Sequence, residues 1–500
     1  MEPLNQRIVV IGAGLGGLSA AISLATAGFD VQIIEKSDKV GGKLNVLHKD
    51  GFTFDLGPSI LTMPHIYQAL FERAGKRLED YVSLQAVVPH WRNFFEDGTT
   101  VDLTPDPGQM RLELAKLGPN AAGEFERFLA YSKRLCELTE EGYFAKGLDG
   151  FWELVRHYGP LRSLLAFDIF RNMDQGVRRF IRHPKLVDIL NYFIKYVGSS
   201  PYDAPALMNL LPHIQFGYGL WYVRGGMYQL AKAFERLAHK LGVRVQLNTE
   251  VTEIHHADRQ VTEIRLQDGS ALPVDILVSN MEVIPTHKQL LRNGAEELTR
   301  LQRYAPSCSG LVIHLGVNRV YPQLAHHNFF YSQDPRGHFS AIFHENRLSE
   351  DPTIYLVAPT KTDSNQAPPG CEVIKVLPHI PHIDPEQPLR HDDYMDFRER
   401  VLTKLERMGL TELRKHIVCE ETWTPMDIQA RYYSNLGSIY GVVSDRFKNL
   451  GFRAPQRSRR YRNLYFVGGS VNPGGGMPMV TLSGQLVRDK ILADIRRLGA

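Results

Sequence analysis

Cysteine is scarce in this chain. Four residues, Cys136, Cys308, Cys371 and Cys419, are spread over 500 positions with no CxxC pair and no metal-like spacing. That scarcity excludes a disulfide-stapled scaffold or a thiolate metal centre, and it fits reduced thiols in a cytoplasmic enzyme. Charge of one sign is lacking too: the net charge is only +3, so the overall balance gives no reason to expect nucleic acid as a partner. Nor is there an uninterrupted apolar run of the roughly 18 residues that a transmembrane helix needs. Any contact with a membrane is therefore expected from its surface. The apolar stretch at residues 8–11 is broken at once by glycines, and no signal-peptide cleavage pattern follows, which argues against export. Internal repeats and long low-complexity segments are absent as well.

A chain of 500 residues is too long for one core, so two or three domains are expected. Residues 7–11 have the pattern of a buried strand, and the Ala-rich run 18–27 that of a helix, which Gly28 closes as a C-terminal cap. A second strand, 31–34, ends at Glu35, completing one βαβ unit with a right-handed crossover. From about 107 to 209 the pattern is helical, with amphipathic windows at 121–140 and 186–197. A helix at 227–241 and strands at 243–247, 251–255, 261–266 and 276–279 read as a return to the first domain. Strand-like alternation at 311–315, 328–331, 354–357 and 373–377 predicts a second sheet. The Pro- and Arg-rich stretch 453–462 reads as a linker or surface loop before a last strand at 464–467.

Gly12, Gly14 and Gly17 form GxGxxG within Val10-Ile11-Gly12-Ala13-Gly14-Leu15-Gly16-Gly17. In such a turn the first glycine permits the bend, the second lets backbone approach a pyrophosphate, and the third lets helix pack on strand. The helix N-terminus then receives the diphosphate. A bare GxGxxG is equally compatible with a ligand-free turn. Here a strand precedes it, a helix follows it, and Glu35 stands where a carboxylate bonds ribose hydroxyls and repels a 2′-phosphate. Lys36 follows, and then Gly41, Gly42 and Lys43, a doublet suited to close approach by a second part of an extended dinucleotide.

The pattern from Gly12 through Ala21, Leu24, Gly28, Val31 and Glu35 to Gly41 and Gly42 resembles the flavoprotein superfamily of amine oxidases and carotene desaturases. The resemblance implies non-covalent FAD. It also implies that Lys43 reaches the diphosphate and that the Val251 backbone meets adenine. A closing motif runs from Leu464 to Val480 as strand, glycine turn and helix start, with Gly468, Gly469, Gly476, Met477 and Met479 as cofactor contacts. Its helix N-terminus would favour negative charge on the reduced flavin. The expected fold is α/β. A discontinuous Rossmann-like FAD-binding domain (1–75, 220–290 and 455–500) joins a mixed-sheet substrate domain (76–106 and 291–454) and a helical, membrane-facing lobe (107–219).

The closing motif, with Asp55-Leu56-Gly57-Pro58-Ser59, closely resembles the bacterial carotenoid desaturase family, and places Gly57, Pro58 and Ser59 at the cofactor as well. Segments such as 56–64, 193–200, 323–330, 351–357 and 375–381 look like the branch that oxidises the terminal methyl groups of C30 carotenoids. The activity implied is conversion of an allylic methyl to an aldehyde, using O2 or another electron acceptor. Two routes remain open, hydride removal with capture of the cation by water, and direct insertion of an oxygen atom from O2. A desaturase acting on diapophytoene and a non-catalytic flavin-containing carotenoid carrier are the alternatives.

A polyene substrate needs an apolar channel and a way out of the bilayer. Arg156, Arg162, Arg171, Arg178, Arg179, Arg182 and Lys185, opposed within their segment only by Asp168 and Asp174, interleave with Phe151, Trp152, Leu164, Leu165, Phe167, Phe170, Phe180 and Ile181. Such a surface suits attachment to an anionic membrane, here the inner face of the cell membrane. His326-His327 and His379/His382 are expected to be structural or surface residues and not metal ligands. His344-Glu345 is an acid–base pair in sequence only, and Arg224 is open to contact with flavin, substrate or a salt bridge. No catalytic side chain is assigned, because in this chemistry the cofactor carries the reaction. Oligomeric state is not readable from the chain.

Overall fold

The apolar run, glycine turn and Ala-rich stretch at the start form β1 (Leu4–Ile11), α1 (Leu15–Ala25) and β2 (Phe29–Ile34) in a computed structural model that describes residues 4–160, 162, 167, 168 and 170–498. Gly28 ends the helical segment at a positive φ of 93°, its N–H bonded to the Ala25 carbonyl at 3.0 Å. A sheet of five parallel strands is completed by pieces far away in the chain. These are β3 (Arg244–Gln246), β4 (Ile276–Ser279) and β5 (Leu464–Phe466), in the order β5-β4-β1-β2-β3. Its centre is fully covered, with Ile8, Val9 and Val10 of β1 and Leu277 and Val278 of β4 buried.

The closing helix, Met477–Leu498, crosses α1 at very short range, which glycine makes possible. A Cβ on Gly484 would lie 2.5 Å from the Ala20 nitrogen and 2.7 Å from the Gly16 carbonyl. The strands Val251–Ala257 and Gln260–Leu266 do not extend the parallel sheet; with Ala271–Pro273 they make a small antiparallel sheet. Val251, Ile254, Ile264 and Leu266 on it bury against Val9, Ile11 and Ile34 of the parallel sheet.

The second sheet is mixed and eight-stranded. Its expected members are Val312–Val317, His327–Phe330, Ile354–Val357 and Glu372–Ile380. Ile417–Trp423 is added at one edge, Trp91–Phe94 with Thr100–Leu103 at the other, and the short Ser309–Gly310 pairs with the end of Glu372–Ile380. The pairing of His327–Phe330 with Trp91–Phe94 is parallel, and the neighbouring ladders are antiparallel.

The segment between the sheets is helical. Ala121–Thr139 buries Phe125, Phe128, Tyr131 and Leu135 on one face. The helix expected at 186–197 divides into Pro184–Asn191 and a 3₁₀ turn, Tyr192–Tyr196. That tighter turn seats Phe193 on Trp91, ring centroids 4.1 Å apart, and buries Lys195. Leu164 and Leu165 lie outside the described residues.

The stretch 453–462, expected as a linker or surface loop, is irregular as expected but largely covered. Arg453, Ala454, Gln456 and Tyr461 are buried there. The Gln456 amide donates to the Ser483 carbonyl at 2.7 Å, and Arg457 pairs with Asp494 at 2.7 Å, so the stretch braces β5 and the closing helix. Prolines and arginines predicted exposure, but the strand they precede is an edge of the parallel sheet, and this stretch covers its flank, with Arg457 bridged to Tyr465.

The α1 crossing yields a first expectation. Gly484→Val is expected to lose roughly 1–3 kcal/mol to overpacking, seen as a lowered midpoint of thermal unfolding, whereas Gly242→Ala, on an open site, tests only the cost of a positive φ of 80°.

Candidate functional site

A cavity of about 1030 Å³ joins the parallel sheet to the helical segment. One end is built from the glycine turns. The Gly12 N–H bonds the Ile34 carbonyl at 2.8 Å and the Gly41 N–H bonds the Ala13 carbonyl at 2.9 Å, which draws the GG doublet onto the first turn. A Cβ on Gly17 would sit 2.0 Å from the Gly12 carbonyl oxygen, so strand and helix touch there as the third glycine of the motif requires. The first and last turns meet across Asn280: a Cβ on Gly16 would lie 2.6 Å from its Oδ1 and 3.1 Å from the Gly468 nitrogen.

The predicted residues Ile11, Gly12, Gly14, Leu15, Gly16, Glu35, Lys36, Gly41, Gly42, Lys43, Gly57, Pro58, Ser59, Val251, Gly468, Gly469, Gly476, Met477 and Met479 all line this cavity. Val10, Ala13 and Gly17 stand behind its wall and shape it.

The donor set suits a dinucleotide. Gly14 is the N-cap of α1 and offers no side-chain cap, so unpaired N–H groups of the first turn face an anion site. The buried Glu35 carboxylate accepts from the Ala13 N–H at 2.6 Å and the Ser37 N–H at 2.9 Å. A carboxylate offers about four acceptor positions, so acceptor capacity remains for a sugar hydroxyl. Beyond it, Lys36 lies 3.3 Å above the Tyr433 ring, whose hydroxyl donates to Glu250 at 2.6 Å. The Lys43 ammonium contacts Glu282 and the carbonyls of Ser438 and Ile439 at 3.3–3.4 Å.

Residues 464–492 and the N-terminal turn thus complete one site, and the whole pattern can be compared with known proteins. Residues 15–492 match the family of flavin-containing amine oxidoreductases. The chain belongs to that family. It is a flavin-dependent oxidoreductase. A 4,4′-diapolycopene oxygenase of Methylomonas sp is 71% identical over 492 residues, covering 98% of this chain and 99% of its own. A 4,4′-diaponeurosporene oxygenase of Staphylococcus haemolyticus (strain JCSC1435) is 51% identical over 490 residues, 98% of this chain and 97% of its own. Among solved structures, an oxidoreductase from Methanosarcina mazei shares the fold with a TM-score of 0.63 and 15% identity, over 97% of this chain and 100% of that one.

In this flavin-dependent oxidoreductase, the middle of the cavity holds buried charge that its sequence did not reveal. Lys375, on the strand Glu372–Ile380, donates to the carbonyls of Asp55 and Gly57 and to the Ser59 hydroxyl, fixing the Gly57-Pro58-Ser59 turn. The Asp55 carboxylate accepts from the Met227 N–H at 2.9 Å and the Tyr222 hydroxyl at 3.3 Å. Burial pushes Asp55 up and Lys375 down, each partly restored by the other's charge. Arg453 lines the cavity with its Nε and Nη2 unpartnered, pressed against Gly474.

The far end is apolar. Phe151, Leu154, Phe167, Leu207 and Met208 form its walls, and it opens beside Phe170, Phe447 and Leu450, which are 70%, 82% and 60% exposed. Trp152, next to Phe151, is also exposed. The basic residues of this region are less free than their segment implied. Arg162 pairs with Glu141, Arg182 with Glu124 and Lys185 with Asp97, while Asp168 takes Arg171 and Arg179, and Asp174 takes Arg178. Partners supplied by other elements were invisible in a local count of charges.

Other side chains are placed away from the chemistry. His344 pairs with Asp203 at 3.0 Å while Glu345 holds Arg347, so the sequential pair is no acid–base unit. Arg224 is exposed and does not line the cavity. His326, His327 and His379 are buried, not surface residues, and no group of His, Cys, Asp and Glu among the described residues could hold a metal.

Burial sets the acid response. It holds His314, His326, His338 and His379 down near 3 and His90 near 4, below the ordinary 6.5. Above pH 6.5 these rings are neutral in folded and unfolded chains alike. Below it the unfolded chain binds protons that the folded chain refuses, so stability is lost as pH falls from about 6.5 towards 4. Thermal midpoints across that window are expected to fall steeply, and less steeply in His326→Gln.

Proposed function

We propose that this enzyme binds FAD non-covalently and oxidises the terminal methyl group of a C30 carotenoid, 4,4′-diaponeurosporene or 4,4′-diapolycopene, to the aldehyde. One observation carries this reading: a single cavity continues from the two glycine turns, which suit a dinucleotide, into an apolar passage that opens among exposed rings. The names of the two relatives, each covering 98% of this chain, point to the same substrate class. The apolar passage fits a hydrocarbon chain and offers no matching set of polar groups for an amine.

The roles of the chain follow from its geometry. N–H groups at Gly14 to Gly16 receive the diphosphate, Glu35 the ribose hydroxyls, and the Val251 backbone the adenine. Lys43 would release Glu282 to reach the diphosphate. Gly57, Pro58 and Ser59, held by Lys375, and Gly468, Gly469, Gly476, Met477 and Met479 bound the flavin end. The dipole at the start of the closing helix favours negative charge there. When bound, a flavin would supply the oxidising chemistry at the allylic carbon, where a conjugated polyene delocalises developing charge. The aromatic walls exclude bulk water and confine the chain end.

The substrate is delivered from the cytoplasmic face of the membrane. Exposed Trp152, Phe170, Phe447 and Leu450 insert at the interface around the mouth, and the polyene passes inward without crossing water. Because most basic side chains nearby have acidic partners, apolar insertion outweighs charge in this attachment.

Product analysis, oxygen labelling and vesicle binding test this reading. Purified protein with FAD and vesicles holding the C30 polyene is expected to yield aldehyde by mass analysis; a longer chromophore without oxygen would instead indicate desaturation, and flavin that no carotenoid reduces anaerobically would indicate a carrier. Oxygen from labelled water in the product, corrected for aldehyde exchange, would eliminate direct insertion from O2. The double substitution Phe447→Ser, Leu450→Ser removes side chains worth about 1.5–3 kcal/mol each when buried, so co-sedimentation with vesicles is expected to fall at least about tenfold.

A further inference from the structure

Four lysines are buried: Lys195, Lys375, Lys404 and Lys490. Three of them are matched by oxygen. Lys375 donates to two carbonyls and a hydroxyl, Lys404 to the Tyr331 carbonyl and Asp351, and Lys490 to the Gly147 carbonyl and Asp149. Lys195 differs. Among the described residues it has no carboxylate partner and no hydrogen bond, yet it lines the cavity with Tyr196 and Tyr355. Its nitrogen lies among four rings, 3.8 Å from the centroid of Tyr355, 4.9 Å from those of Tyr196 and Phe329, and 5.1 Å from that of Trp91.

Such a site is costly for a charged amine and would be filled equally well by methionine. Burial pushes Lys195 well below its ordinary value, and only ring faces, with no carboxylate, oppose that shift. Tyr196, Tyr355 and Tyr440 are pushed up and His90, His327 and His379 down, so all six are neutral near pH 7. Burial in this cage disfavours the ammonium form, and the unprotonated primary amine is the form that attacks carbonyl carbon. Its place on the wall is also defined. Tyr355 is in register with Leu377, a cavity residue two positions from Lys375, which grips the Gly57 turn.

We propose that Lys195 captures the aldehyde end of a bound polyene as a reversible imine. The inference rests on the reading that this cavity takes such a polyene. The amine lone pair forms the new bond to the carbonyl carbon; the carbon–oxygen bond breaks, and the oxygen leaves as water with both amine hydrogens. No electrons are gained or lost, and water reverses the step. An imine carries no aldehyde hydrate, the species through which an aldehyde is oxidised onward to an acid, so capture holds the chain end at the aldehyde level.

The test uses flavin-loaded enzyme, a C30 polyene aldehyde supplied in phosphatidylcholine vesicles, and cyanoborohydride, whose hydride reduces an imine to a stable secondary amine. Peptide mass mapping is expected to find the polyene on Lys195, with the adduct lost in Lys195→Arg and Lys195→Met proteins that retain flavin. Pigment that binds without any adduct, or an adduct on another lysine, overturns the imine while leaving the proposed function standing. An aldehyde that does not bind at all overturns both. The mapping is done on the unsubstituted enzyme, so the result does not depend on either variant folding.

Discussion

The contact on which the rest of the structure depends is the meeting of two backbone turns, one near residue 16 and one near residue 468, on either side of Asn280. Neither turn makes a site alone. The first offers N–H groups at a helix start, and the last closes the same space with a second helix whose origin points the same way. They are brought together by strand pairing: β1 lies beside β4, and β4 beside β5, so residues that are hundreds of positions apart stand within one ladder. Side chains at Gly14, Gly16 or Gly17 would force these surfaces apart, and the floor of the cavity with them.

Around that floor, the fold sorts polarity along a single axis. At the sheet end, backbone donors and carboxylates prevail. In the middle, isolated cationic side chains are buried, some matched, as Lys375 is by the Gly57 turn, and some not, as with Arg453 and Lys195. At the helical end, carbon predominates, and the rings at the opening are left in the open although the same molecule buries comparable rings elsewhere. A chain that tolerates Phe447 at 82% exposure, beside a passage lined by carbon, keeps an apolar surface for contact.

Much of this was legible in the chain because it is local. The strand, turn, helix and strand from 4 to 34 carry their own periodicities and glycines, and the closing motif announced a helix start at Met477 that the structure places there. What could not be read is whatever depends on distant partners. Trp91–Phe94 and Thr100–Leu103 are too short, and too polar at Arg92, Asn93 and Asp102, to stand out before their neighbours in the sheet are known. Arg453 looked solvated because arginine usually is, and only the covering of β5 puts it inside. Lys195 sits between aromatic residues in the sequence, but its cage comes from Trp91, Phe329 and Tyr355, three separate strands. The basic segment misled in the opposite direction, since the acids that neutralise it arrive from Asp97, Glu124 and Glu141.

The position of β5 has a consequence for how the enzyme is made. An edge of the parallel sheet and one wall of the cavity come from residues 464–480, which are made after every other strand of that sheet. The flavin's seat is consequently completed late, and a nascent chain carries an open sheet edge until β5 arrives to close it.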